Sequence, residues 1–279
     1  MLLLGAHMSI SGGVYNAIKR GEELGCTAIQ IFTKNARTWK GKPYSKQEIE
    51  KFYENLKRSE VKIVVAHNIY LVNLASENPA LIQNSLEDMR DEMMRCDQLG
   101  VQVLVFHPGT HTNRKKGLKL IAKAIDTLYE DKFRVNLTLE TTAGQGGNLG
   151  ATFEEIAEII SQSSNSDKLN VCIDTCHIFA AGYELRTKSG YEKTLDAFDK
   201  IVGLNRLAVI HLNDSKYPLG SKRDRHEHIG KGYLGVEPFR FIINDSRFEN
   251  VPKILETPQG GGTEFDKMNL EVLKKLVAK

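Results

Sequence analysis

Gln102-Val-Leu-Val-Phe-His107, Gly117-Leu-Lys-Leu-Ile-Ala-Lys-Ala-Ile-Asp-Thr-Leu-Tyr129 and Asn136-Leu-Thr-Leu-Glu140 together decide the fold. The outer two stretches are short, apolar and rich in β-branched or leucine residues, as strands are. The middle one has helical period. Two strands joined through a helix run parallel, because a parallel pair needs a long crossover. Working outward, the same rhythm continues. Strands are expected at Leu2–Leu4, Ala28–Phe32, Lys62–Ala66, Gln102–Phe106, Asn136–Leu139, Asn170–Ile173, Leu207–His211 and Lys253–Leu255. Helical patterns fall at Gly13–Leu24, Lys46–Arg58, Asn84–Leu99, Gly117–Tyr129, Phe153–Ser161, Tyr191–Val202, Val236–Asn244 and Lys267–Val277. Ser45 and Thr152, each with an acid three residues on, have the form of N-caps. Gly25 and Gly100 have the form of C-caps. Eight units in 279 residues average about 35 each, with no linker between them. The expected fold is α/β, a single (β/α)8 TIM barrel over residues 1–279. Its least regular stretch is Asn213–Leu234, and a loop of that length in a compact domain is usually functional.

Composition narrows the class further. At 41% hydrophobic and 26% charged residues, the chain falls outside the disordered and low-complexity classes. Its longest apolar runs are too short for a membrane-spanning helix, and Met1-Leu-Leu-Leu4 lacks the basic flank of a signal peptide. Cys26, Cys96, Cys172 and Cys176 show no Cys-x-x-Cys spacing, so reduced thiols and a cytoplasmic location are expected. The formal charge of +3 is too small to diagnose nucleic-acid binding. The distribution says more. Thr33–Gln47 carries Lys34, Arg37, Lys40, Lys42 and Lys46 with no acid, and Gly109–Lys119 carries Arg114, Lys115, Lys116 and Lys119 with no acid.

Polar residues follow the apolar runs at one end only: His7, His67, His107, Glu140, Asp174-Thr-Cys-His177, His211 and Glu256. In a barrel those ends meet on one face, where barrel enzymes keep their sites. A lone histidine there is ordinarily a hydrogen-bonded core residue. So many donors at one mouth would repel one another and be costly to desolvate without cations. Imidazole and carboxylate together are ligands for borderline-soft metal ions. In the irregular stretch, Asp224 and His226 alternate and so point the same way. With His177 they would make a separate three-ligand site, with His228 as a possible substitute. His111, four residues after His107, is a weaker candidate beyond a Pro-Gly turn. Gly144-Gln-Gly-Gly-Asn-Leu-Gly150 lacks dinucleotide spacing and follows the wrong strand, so no nucleotide cofactor is expected. Cys176, beside the ligand candidates, is expected to be structural or to support them rather than to act as a nucleophile.

Three segments then bear a family resemblance. Leu139-Glu-Thr-Thr-Ala-Gly-Gln-Gly146, Ile173-Asp-Thr-Cys-His-Ile-Phe-Ala-Ala-Gly182 and His211-Leu-Asn-Asp-Ser-Lys216 resemble signature segments of the endonuclease IV family, apurinic/apyrimidinic endonucleases of base-excision repair. Asp224-Arg-His226, Leu255-Glu-Thr-Pro258 and Phe32-Thr-Lys-Asn35 fit as well. The resemblance implies a TIM barrel holding three zinc ions, with Mn or Fe as possible replacements. It implies one site of His67, His107 and Glu140, and a second of Glu140, Asp174, His211 and Glu256, with Glu140 bridging. The third is His177, Asp224 and His226. Glu140 and Glu256 are the implied catalytic carboxylates. Asn35, Arg37, Tyr70 and Leu71 are implied to face DNA, with Arg37 and Tyr70-Leu71 entering the minor groove.

The implied reaction is hydrolysis 5′ to abasic sites in double-stranded DNA, leaving a 3′-hydroxyl, with cleaning of blocked 3′ ends, by a monomer that needs no membrane. The best rival is a metal-dependent sugar isomerase or epimerase on a similar barrel, which would need no third site and no basic rim. A non-catalytic DNA-damage binder would not need such a ligand set.

Overall fold

The computed structural model describes residues 1–260 and 262–278. Residues 261 and 279, which the 1–279 span includes, lie outside the described residues. The strands are β1 (Leu4–Ala6), β2 (Ala28–Phe32), β3 (Ile63–His67), β4 (Val103–Phe106), β5 (Asn136–Glu140), β6 (Leu169–Asp174), β7 (Leu207–His211), β8 (Asp214–Ser215), β9 (His226–Glu227) and β10 (Lys253–Leu255). All but β8 and β9 form one eight-stranded sheet in the order β1-β10-β7-β6-β5-β4-β3-β2. Every neighbouring pair is parallel. Where β1 meets β2, Thr27 N donates to Leu4 O at 2.9 Å and Met8 N to Gln30 O at 2.7 Å, bringing the sheet round into a nearly closed barrel. Gly5 is required at this seam: a Cβ there would lie 1.7 Å from the carbonyl oxygen of Ala28.

Outside the barrel lie α1 (Asn16–Glu23), α2 (Lys46–Arg58), α3 (Pro79–Leu99), α4 (Arg114–Tyr129), α5 (Phe153–Gln162), α6 (Thr175–Ala181), α7 (Lys188–Ile201), α8 (Glu237–Ile243) and α9 (Glu264–Lys274). The fold is the expected single-domain TIM barrel. Ser45 caps α2 through a reciprocal capping box, and the Thr152 side chain accepts from Glu155 N. Helix α3 starts at Pro79 rather than Asn84, because Asn78 caps it and Pro79 occupies the first turn, where a missing N–H costs nothing. Helix α6 was not expected. It follows β6 without a loop, so His177 stands on its first turn rather than on a strand end.

The barrel interior explains how the ligand candidates are placed. Ala28, Val65, Val105, Cys172, Val209 and Ile254 form a separate buried cluster, distinct from the larger core that includes the helices. Side chains alternate along a strand, so the next inward residues are Gln30, His67, His107, Asp174, His211 and Glu256. Thr138 and Glu140 continue the pattern on β5. An apolar floor thus carries a polar layer one step nearer the mouth, at the strands' C-terminal ends.

Candidate metal centre

Glu140 lies at the middle of the polar layer with its side chain fully buried. Its Oε2 faces His67 Nε2 at 3.0 Å and His107 Nε2 at 2.9 Å. Its Oε1 faces His211 Nδ1 at 2.9 Å. One carboxylate therefore joins two groups: His67, His107 and Glu140, and Glu140, Asp174, His211 and Glu256, each with donor atoms within 4.8 Å of one another. Glu256 Oε2 lies 3.2 Å from His211 Nδ1, and Asp174 Oδ2 lies 3.8 Å from the same nitrogen.

The third expected group also assembles. His177 Nε2 is 3.1 Å from Asp224 Oδ1, and His226 Nε2 is 3.7 Å from it. The two Nε2 atoms are 3.4 Å apart. Asp174 Oδ2, 3.5 Å from His226 Nε2, links this group to the second. The Asp174 side chain also caps α6 by accepting from His177 N at 2.9 Å, which fixes His177 over the barrel. His226 is held by the antiparallel pairing of β8 with β9, opposite Ser215.

Three of the remaining ring nitrogens have backbone partners. His67 Nδ1 donates to Asn68 O at 2.6 Å, His177 Nδ1 to Thr141 O at 2.8 Å, and His226 Nδ1 to Glu256 O at 2.8 Å. Carbonyl oxygens only accept, so each Nδ1 carries the proton. In the neutral ring each Nε2 is then a bare lone pair aimed at a carboxylate or at another bare nitrogen. Such an arrangement is repulsive until a cation or extra protons enter it, and orienting acceptors of this kind are typical of metal-ligating histidines. The donor chemistry and tautomers fit zinc.

The buried carboxylates and imidazoles shift one another strongly. Burial opposes the charged form of Glu140, yet His107 and His211 outweigh it and hold the carboxyl well below its usual range. Burial likewise opposes charge on His177, but Asp174 and Asp224 raise it well above the ordinary histidine value. For His211 burial is outweighed by Cys172, Glu256 and Glu140, and it too is raised. Asp224 is depressed in spite of burial, chiefly by His177. His7, with burial dominant, is lowered.

The expected DNA-facing residues all lie near this mouth. Asn35 and Arg37 are exposed in the loop after β2, where Asn35 Oδ1 accepts from Arg37 N at 2.9 Å. Tyr70 is 66% exposed and Leu71 39%. The Tyr70 ring lies 6.0 Å from both the His67 and His107 rings, so it overhangs the first group.

The basic stretches are less free than the sequence suggests. Lys34 is buried and bonds Asp88 at 2.6 Å and Asp91 at 3.1 Å on α3. Arg114 pairs with Glu155, and Lys116 with Glu77. His111 bonds Glu77 at 3.0 Å, outside the ligand groups. His228 is also outside them, with its Nδ1 3.1 Å from Asn269 Nδ2 and its ring on Phe265. Burial pushes the Cys176 thiol up to about 12, in keeping with an inert residue.

Sequence reasoning missed the amides and thiol around the ligands. Gln30 and Asn213 bond ligand side chains, and Cys172 lies within reach of Glu140 and His211. The available signal was Gln30 itself, one amide between two isoleucines in a buried strand.

Comparison with known proteins places the chain. Residues 18–276 match the family model described as "Xylose isomerase-like TIM barrel". The chain is 48% identical over 281 residues to "Probable endonuclease 4" of Citrifermentans bemidjiense, covering 99% of both. A crystal structure of endonuclease IV from Thermus thermophilus superposes with a TM-score of 0.86 at 37% identity, over 98% of both chains. A D-tagatose 3-epimerase-like protein superposes at 0.74 with 20% identity, over 99% of this chain and 97% of that one, a likeness of fold alone. The chain belongs to the endonuclease IV family. It is a nuclease of DNA-repair type whose barrel mouth carries candidate metal-binding clusters. No helix among the described residues is long and apolar enough to cross a membrane.

Proposed function

We propose that the protein hydrolyses the phosphodiester 5′ to abasic sites in double-stranded DNA, leaving a 3′-hydroxyl, and also removes blocking groups from 3′ ends. The observation that carries this reading is the third group. His177 and His226 bring their Nε2 atoms within 3.4 Å of one another beside Asp224, while their Nδ1 protons are committed to carbonyls. A cation there, beside the two groups that share Glu140, gives the triple arrangement that the sugar isomerase reading has no need of.

His67, His107 and Glu140 would hold one zinc, and Glu140, Asp174, His211 and Glu256 a second. His177, Asp224 and His226 would hold the third. Zinc at such sites neutralises phosphate charge and brings the pKa of water toward ~7; Mn or Fe could replace it. Glu140 fixes the spacing of the first two groups, because each of its oxygens belongs to a different one. Glu256 is the barrel carboxylate best placed to pass a proton outward: its side chain is 14% exposed, whereas those of Glu140 and Asp174 are fully buried. The ion held by His177, Asp224 and His226 would stabilise charge on the departing 3′ oxygen.

Asn35 and Arg37 would hold the backbone, and Tyr70 and Leu71 would wedge the minor groove and favour extrusion of the damaged nucleotide. An abasic nucleotide has no base to unstack, so extruding it costs less than extruding a normal one, which gives selectivity without a base-reading pocket. The whole span 1–279 would act as one catalytic domain, as a monomer, in the cytoplasm. Incubation with an abasic duplex, with and without chelator, tests the reading. Metal-dependent incision 5′ to the lesion is expected. Absence of incision by metal-loaded protein, or a chelator-insensitive cut, would overturn it.

A further inference from the structure

Gln30 is fully buried in β2, one alternation above the apolar floor. Its carboxamide lies between two of the ligand candidates. Oε1 is 2.8 Å from His211 Nε2, and Nε2 is 2.5 Å from Glu256 Oε1 and 3.1 Å from His7 Nδ1. The orientation of the amide is determined by its partners. The Glu256 carboxylate can only accept, so the Gln30 NH2 group must face it and the amide oxygen must face His211. The amide oxygen in turn can only accept, so His211 carries its proton on Nε2. In the neutral ring Nδ1, which faces Glu140, Asp174 and Glu256, is then the lone pair. On the other side, the amide engages Oε1 of Glu256 and leaves Oε2 toward His211 Nδ1.

We propose that Gln30 is a positioning residue of the metal centre, whose one side chain selects both the ligand nitrogen of His211 and the ligand oxygen of Glu256. His67, His177 and His226 have their protons placed by backbone carbonyls, which no side-chain substitution removes. His211 depends on a side chain, which makes its tautomer sensitive to mutation. The proposal rests on the metal reading above. It predicts a local effect, because Gln30 touches nothing in the His177, Asp224 and His226 group.

The test is zinc affinity by competition with a chromophoric chelator, together with long-range 1H–15N spectra of the imidazoles in zinc-loaded protein. Parent protein that binds no zinc would refute the metal reading itself. If the parent binds, Gln30→Leu should weaken one ion by roughly 10–100-fold, the usual cost of losing an orienting partner, and leave the others in place. His211 should then lose its single Nε2–H form. Gln30→Glu keeps an acceptor for His211, so it should retain the Nε2–H form, and it serves as the deciding variant should the leucine protein not fold. Parental affinity with an unchanged His211 spectrum in Gln30→Leu would overturn the proposal. So would an equal weakening of every ion, which a merely structural role would produce, or loss of the Nε2–H form in Gln30→Glu.

Discussion

The barrel rim and the loop after β7 bring candidate ligands to the same mouth by different means. His67, Glu140, Asp174 and His211 end strands of a parallel sheet, and each is almost completely inaccessible to solvent. Their positions follow from register: Asp174 lies opposite His211 and Glu140 opposite Cys172. Asp224 and His226 belong to the long connection between β7 and β10, and their side chains are 31% and 18% exposed. Individual hydrogen bonds place them. His226 Nδ1 donates to Glu256 O, and Asp224 N donates to Gln145 Oε1 at 3.1 Å. Asp214 accepts from Gly232 and Leu234, both at 2.9 Å, and gathers the end of the loop. The rim positions are therefore part of the folding unit, whereas substitution of Asp224 or His226 is expected to leave it intact.

Glu140→Ala gives the largest effect. It removes a carboxylate shared by two groups and leaves His67, His107 and His211 facing one another. Cleavage should fall by roughly 10³-fold or more, about 4 kcal/mol, with loss of bound metal and a lower melting temperature. Elemental analysis and calorimetry check this, and a variant with full metal content would erase the distinction drawn for the rim. His226→Ala should keep the parental melting temperature and bind abasic DNA, yet lose roughly 10²-fold in rate, ~2.7 kcal/mol of transition-state stabilisation. His228→Ala, two residues away and outside the ligand groups, should stay near parental. A reversal between these two histidines would place the third group on the wrong residue.

Arg37→Ala with Tyr70→Ala touches neither region's ligands. Metal content should be unchanged while affinity for abasic duplex falls roughly tenfold, ~1.4 kcal/mol. Parental binding in a salt titration would remove these residues from the DNA face. The smallest effect is in pH dependence. In metal-free protein His177 and His211 lie above the ordinary histidine value, because neighbouring charges outweigh burial. Such a group stabilises the fold fully below its unfolded value of about 6.5, and that contribution disappears as pH rises through the folded value. Chelated protein should therefore become less stable as pH increases through this range. Zinc-loaded protein, whose ligand histidines are neutral, should not follow it. Coincident melting profiles would contradict the difference.

The rim was legible because its ligands end apolar runs of period two. The bounds of β2, β7 and β10 agree with the sequence expectation, and the mouth follows from them. The Asp224-x-His226 alternation also sufficed to bring two loop residues together. Helix α6 escaped because Thr175–Ala180 is buried throughout, so it has no polar face and no helical period to detect. Lys34 looked like a solvent-facing cation, since the carboxylates that hold it come from α3, far along the chain. An amide between two isoleucines marked Gln30, but its role was hidden for the same reason: its partners at positions 211 and 256 meet it only when the barrel closes.

The most direct test of the central claim is a metal count on active protein, made together with cleavage of an abasic duplex during stepwise chelation. The account predicts about three divalent ions per chain, with incision lost as they are removed and restored on adding zinc back. Full incision by protein holding one ion or none would contradict it.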